Sequence, residues 1–225
     1  MNLIPVIADT FSKILGVFSM TSFPRRDPVD DQLLTPENSA LLVIDYQPTQ
    51  INSIASMNHF QLINNIITTV RLAQLYKVPI VLSTVNVTSG RNKDTIPQLK
   101  SVLGDQPSID RTSINAWQDE DFVKAVKATG RKKLVIAALW TEACLTFPTL
   151  DAMREGYDVY PVVDAVGGTS TIAHETALRR VEQAGAQLVS NAQLACEWQR
   201  DWNRGETVPG FVKILLDAGD FINLE

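Results

Sequence analysis

The chain has 225 residues, 45% of them hydrophobic, with 20 Lys and Arg against 25 Asp and Glu, a net charge of −5 and a pI near 5.1. That length supports one α/β domain with a full core, and that hydrophobic content excludes an intrinsically disordered chain. An acidic balance without a basic stripe argues against nucleic-acid binding. The longest basic cluster, Arg131-Lys-Lys133, reads as a solvated helix end.

Residues 1–37 read as an N-terminal arm, with the domain over 38–225. Asn2 to Met20 has the pattern of an amphipathic helix beyond Pro5, and Phe23 to Asp31 has the composition of a linker. Ala40-Leu-Leu-Val-Ile-Asp45 is a short apolar run of the kind a fully buried parallel strand shows. Phe60 to Tyr76 carries Phe60, Ile63, Ile67, Val70 and Ala73 at helical spacing, and Ile80 to Val85 is the second strand. Residues 86–118 look loop-rich, with a short helix at Ile96–Leu103 and a short strand near Ile109. A helix is expected over Asp119–Thr129, ended by Gly130, and a strand over Lys133–Leu139. A helix from Leu145 to Glu155 follows, then a strand Asp158–Val163, where Pro161 points to a less central position. The last elements expected are a helix Ala173–Ala184, a strand Gln187–Ser190 and a helix Ala192–Trp202. Strands alternating with helices at this spacing make a parallel sheet with helices on both faces.

Cys144 stands out by its place. It follows the strand beginning at Lys133 and the link Trp140-Thr-Glu-Ala, and it precedes a helix. A thiol in the first turn of a helix faces unpaired backbone N–H groups and the positive end of the dipole, which favours thiolate. Thr141 is the expected N-cap. A lone cysteine is also often a small buried core residue, and position alone leaves both readings open. Sites in such sheets form at the carboxyl ends of strands where strand order reverses. Asp45 ends the first strand. If its strand neighbours that of Cys144, a carboxylate meets a thiol across the crevice and can take and return its proton. A turn or helix-capping Asp is the alternative.

Leu41-Leu-Val-Ile-Asp-Tyr-Gln47, Ile114-Asn-Ala-Trp117, Asp121 to Gly130 and Thr141-Glu-Ala-Cys144 together resemble the isochorismatase-like cysteine hydrolases, in their YcaC-type branch. Phe147-Pro148, Glu155-Gly-Tyr-Asp-Val159, Gln183 to Leu188 and Ala195-Cys-Glu197 continue the likeness, which spans roughly residues 38–203. The resemblance implies a three-layer α/β/α sandwich with a mostly parallel sheet and a triad of Asp, a basic residue and Cys. Asp45 and Cys144 match the first and third members. The basic residue is Lys in most of the family, and Arg can take the place in this branch. Arg111 matches the position, with Lys93 and Lys100 as alternatives. Arg stays protonated, so its role would be to hold the carboxylate and favour thiolate. The family also implies a cis peptide at Leu139–Trp140, with the Trp140 and Cys144 backbone N–H groups forming an oxyanion hole. Gln47, Asn115, Trp117 and Phe147 are candidate substrate contacts, although Trp117 and Phe147 also suit a core. Glu142 is expected to cap or pair, and Cys196 and His174 to be structural.

The resulting expectation is a cysteine-dependent hydrolase that cleaves a C–N bond of a small amide through a thioester. A vinyl-ether hydrolase and a vestigial, non-enzymatic oligomer are the alternatives. True isochorismatases replace the nucleophilic Cys, so Cys144 ranks the vinyl-ether reaction lower. No cofactor is expected. Metal-binding relatives use His near the second strand, and Asn86-Val-Thr-Ser-Gly90 has none, so no metal is expected either. The expected partners are a small-molecule substrate and further copies of the chain, as a tetramer or octamer, with neither nucleic acid nor membrane. Two cysteines without a disulfide framework fit a reducing, cytoplasmic setting, and no apolar run reaches the roughly 18–20 residues of a membrane span.

Overall fold

The computed structural model of the protein describes residues 26–221. The helix expected between residues 2 and 20 lies outside the described residues. Five strands form one sheet: β1 (Ser39–Ile44), β2 (Ile80–Val85), β3 (Ser108–Arg111), β4 (Lys133–Ala138) and β5 (Asp158–Pro161). Their order is β3-β2-β1-β4-β5 and every pairing is parallel. β1 and β4 are buried along their whole length, which is why both read as continuous apolar runs.

Alternate side chains of these central strands feed two cores, because a strand turns successive residues to opposite faces. Leu41, Val43, Val135 and Ala137 pack on one face against α2 (His59–Leu75), α3 (Pro97–Leu103), α7 (Asn191–Gln199) and α8 (Val208–Ala218). Ala40, Leu42, Ile44, Leu134, Ile136 and Ala138 pack on the other against α4 (Glu120–Ala128) and α5 (Thr146–Arg154), with Leu178 of α6 (Thr171–Gln183) beside them. A short helix, α1 (Pro48–Asn52), follows β1. The result is a three-layer α/β/α fold. β2 and β3 lie to one side of β1, and β4 and β5 to the other. Strand order therefore reverses between β1 and β4, and the crevice opens at their carboxyl ends.

One expectation needs correction, and two further segments add to the reading. Gln187–Ser190 is not a strand of the sheet; it lies along β5 with a single bridge, Val162 to Val189. α8 went unassigned, yet Phe211 and Leu215 bury one of its faces in the core. Within residues 31–37, placed in the arm, Asp31, Leu34 and Thr35 are buried against the domain. Leu34 is fully buried, its N–H donates to Glu197 Oε2 at 2.6 Å, and Lys133 Nζ donates to the Asp31 carbonyl at 2.7 Å.

Candidate active site

Three side chains converge at the reversal point. Asp45 leaves β1 with φ 63°, a left-handed conformation that Asp tolerates better than most residues. Arg111 ends β3 and reaches across the end of β2. Its Nη1 and Nη2 donate to Asp45 Oδ1 and Oδ2 at 2.8 and 2.7 Å. The same guanidinium donates to Ser83 Oγ and the Thr84 carbonyl, both at 3.1 Å, and to the Ile114 carbonyl at 3.2 Å. Neither charged side chain is exposed. Burial opposes the Arg111 charge, but the hydrogen bonds and charge of Asp45 outweigh it and hold the guanidinium above its ordinary pKa. Lys93 and Lys100 are not part of this site: both are exposed, and Lys100 pairs with Asp94.

Cys144 lies in a single π-helical turn, Thr141–Leu145, between β4 and α5, and is 7% exposed. The Asp45 carboxylate acts on the thiol from the end of the neighbouring strand. Burial first, then the charge and hydrogen bond of Asp45, push the thiol well above its ordinary value, while Arg111 and the Trp140 backbone N–H pull it down. Burial and the neighbouring carboxylate thus oppose the thiolate that the turn's dipole favours.

The Leu139–Trp140 peptide is cis, and the Trp140 carbonyl accepts from the Ala143 and Leu145 N–H groups, both at 3.1 Å, closing the turn that carries Cys144. Thr141 is not the cap. Trp140 occupies that position without a side-chain bond, and the Thr141 hydroxyl pairs with His174 Nδ1 at 2.8 Å. Glu142 Oε1 accepts from the Thr169 N–H and hydroxyl at 3.0 and 2.6 Å, which ties the nucleophile turn to the loop before α6. That loop fits closely: a Cβ on Gly168 would lie 2.7 Å from Glu142 Oε2.

The expected substrate contacts fare differently. Gln47 is fully buried and its amide is committed: Nε2 donates to the Val85 and Lys93 carbonyls, and Oε1 accepts from the Val85 N–H. It braces the strand ends and is not free to bind substrate. Asn115 is likewise committed, accepting from the Trp117 N–H at 3.0 Å and donating to Asp151 Oδ2 at 2.7 Å. Trp117 is a core residue packed on Phe122 and Tyr157, with its indole N–H on Glu155 Oε1 at 2.9 Å. Phe147 is half-buried in the first turn of α5. Cys196, expected to be structural, is free and exposed on α7. Sequence reading missed Ser83 and Thr84, which hold Arg111; their signal was a pair of polar residues inside an apolar strand run.

Among the described residues, no group of three or more His, Cys, Asp or Glu is arranged to hold a metal ion, and no helix is long and apolar enough to cross a membrane. What the site offers is a buried carboxylate bound by a permanent cation, with a buried thiol on the neighbouring strand end. Those are the parts needed for nucleophilic attack coupled to proton transfer.

An Asp–Arg pair and a cysteine at the strand-order reversal of a parallel α/β/α sheet define the class: an α/β/α protein with its candidate site in the crevice at the strand ends. The chain belongs to the isochorismatase-domain family of hydrolases, whose family model, "Isochorismatase domain", matches residues 39–193. The probable hydrolase YcaC of Escherichia coli (strain K12) is 41% identical over 170 residues, covering 75% of this chain and 81% of that protein. The crystal structure of the E. coli YcaC gene product, described as an octameric hydrolase of unknown specificity, superposes with a TM-score of 0.78 at 38% identity, covering 84% of this chain and 91% of that one. YcaC from Pseudomonas aeruginosa, solved with hexane-2,5-diol and covalent acrylamide, gives a TM-score of 0.78 at 36% identity, covering 88% and 94%.

Proposed function

We propose that the protein is a cysteine hydrolase that cleaves the C–N bond of a small neutral amide through a thioester. The observation that carries this reading is the Asp45 carboxylate held between Arg111 and the Cys144 thiol. The Cys144 sulfur attacks the carbonyl carbon as its proton passes to Asp45. The Trp140 N–H, with that of Cys144, receives the developing oxyanion. Asp45 then gives the proton to the amide nitrogen, the C–N bond breaks and the amine leaves. Water attacks the thioester and passes a proton to Asp45. The intermediate collapses to carboxylic acid, and the proton returns to sulfur. Arg111 remains protonated throughout and keeps Asp45 ionised between proton transfers.

The raised resting thiol suits this sequence, because sulfur becomes nucleophilic only as Asp45 removes its proton. The Arg111 charge is matched by Asp45, so the triad presents no unpaired cation to an anionic substrate. Acrylamide, bound covalently in the P. aeruginosa relative, is itself a small neutral amide. The octameric E. coli relative supports a homo-oligomer here as well. Ammonia release from a panel of primary amides by wild type and Cys144→Ala tests the reading. Turnover confined to wild type is expected, and equal rates in the variant would overturn it.

A further inference from the structure

An aromatic cluster on α8 stands largely in solvent. Phe211 packs into the core and is 2% exposed. Two rings meet it edge-on, Trp202 at 5.5 Å and Phe221 at 6.0 Å between centroids. Trp202 is nevertheless 66% exposed, Leu216 40% and Phe221 37%. The chain folds back at the end of α8, where the Phe221 N–H donates to the Leu215 carbonyl at 3.2 Å. A scattered exposed apolar side chain needs no explanation, but several bulky ones around one buried ring mark a contact surface.

The start of the described chain is pinned next to this cluster. Arg26 Nη1 lies 3.6 Å from Asp31 Oδ1. Asp31 Oδ2 accepts from Arg200 Nη1 at 3.1 Å, and Arg200 Nη2 donates to the Leu34 carbonyl at 3.2 Å. Arg200 stands two positions before Trp202, a step of roughly 7 Å at most. Residues 21–25 span roughly 16–18 Å when extended, which exceeds that step. The sequence before them carries the complement of the cluster. Ile7, Phe11, Ile14, Leu15 and Phe18 fall on one stripe at helical spacing, and Asp9, Lys13 and Gly16 fall opposite. A helix of that length is marginal alone in water, and packing of its apolar face is what stabilises it.

We propose that the Trp202, Leu216 and Phe221 face is the docking surface for the chain's own N-terminal segment. Residues 6–20, as an amphipathic helix, lay the Phe11 and Phe18 stripe on it within one copy of the chain. The short tether selects the same copy, because a tethered segment meets its site at high effective concentration. The docking is independent of the reaction at Cys144.

Hydrogen-exchange mass spectrometry on the 225-residue chain tests this. The amides of residues 8–20 are expected to exchange slowly in wild type. Trp202→Ser, at a position already mostly exposed, should remove roughly 10- to 100-fold of that protection. Phe11→Ser/Phe18→Ser, which alters nothing in the described domain, should do the same. Peptides from β1 and β4 should keep wild-type protection in both. In protein reassembled from light and heavy isotope-labelled chains, amine cross-links from Lys13 to exposed Lys213 on α8 should join residues of one copy. Segment amides that exchange at unfolded-chain rates in wild type, or that keep full protection in Trp202→Ser/Leu216→Ser, would overturn the proposal. So would cross-links confined to different copies, which would mean a segment swapped between subunits. Protection that appears only with phosphatidylglycerol vesicles would overturn it too, in favour of a membrane-binding segment.

Discussion

Replacing Arg111 with Met would strand a carboxylate where neither partner has any exposure. The substitution removes two hydrogen bonds to Asp45 and leaves the Ser83 hydroxyl and the Thr84 and Ile114 carbonyls without their donor. Breaking a buried pair by removing one partner costs about 3–5 kcal/mol, chiefly because the remaining charge is uncompensated. With a denaturant slope near 2 kcal/mol per molar, that is a fall of roughly 2 M in the urea midpoint. The double variant Asp45→Asn/Arg111→Met removes the stranded charge as well and should be more stable than Arg111→Met alone. Arg111→Lys keeps the charge with three donors in place of five and should fall between wild type and Arg111→Met. Equilibrium urea unfolding by fluorescence, at one protomer concentration for all variants, makes the comparison. An Arg111→Met variant within about 1 kcal/mol of wild type, or a double variant at the sum of the singles, would refute the compensation argument.

Further outcomes follow from the same geometry. Asp45→Asn should lower turnover of a verified amide by about 10²–10⁴-fold, with circular dichroism unchanged; wild-type-like turnover would remove Asp45 from proton transfer. Burial holds His174 below its ordinary value of 6.5, against the opposing charges of Glu142 and Glu175. A depressed pKa means this stability is present above pH 6.5 and is lost as pH falls towards the folded-state value. Tm should therefore drop between pH 7 and 5, and His174→Asn should flatten that slope; an unchanged slope would count against the burial argument. Light scattering at micromolar protomer concentration should give a mass well above the 24.9 kDa of one chain, and a monomer would contradict the proposed assembly.

The sheet was legible because β1 and β4 are buried on both faces, which leaves no alternation to obscure the apolar run. Pro161 pointed to a less central strand, and β5 lies at the end of the strand order, where a missing ladder donor does little harm. Asp45 and Cys144 were legible as strand-end residues, and β1–β4 pairing is what brings them together. The charge state of Cys144 was not legible. Its local turn suggests thiolate, while the burial and the carboxylate that hold the proton come from residues about 100 positions away. Gln47 and Asn115 looked like ligands because they are polar residues beside site motifs. Their hydrogen-bond partners, Val85, Lys93 and Asp151, are visible only in three dimensions. The hydrogen bond from the Trp140 indole to Ser53 spans 87 positions and had no local signal.

The central claim is that Cys144 carries the acyl group. Acid quenching during turnover of a hydrolysed amide, followed by peptide mass spectrometry, tests this directly. The account predicts an acyl mass on the Cys144 peptide that is absent in Cys144→Ala and cleared by hydroxylamine. Turnover that persists in Cys144→Ala, or an adduct found only on Cys196, would contradict it.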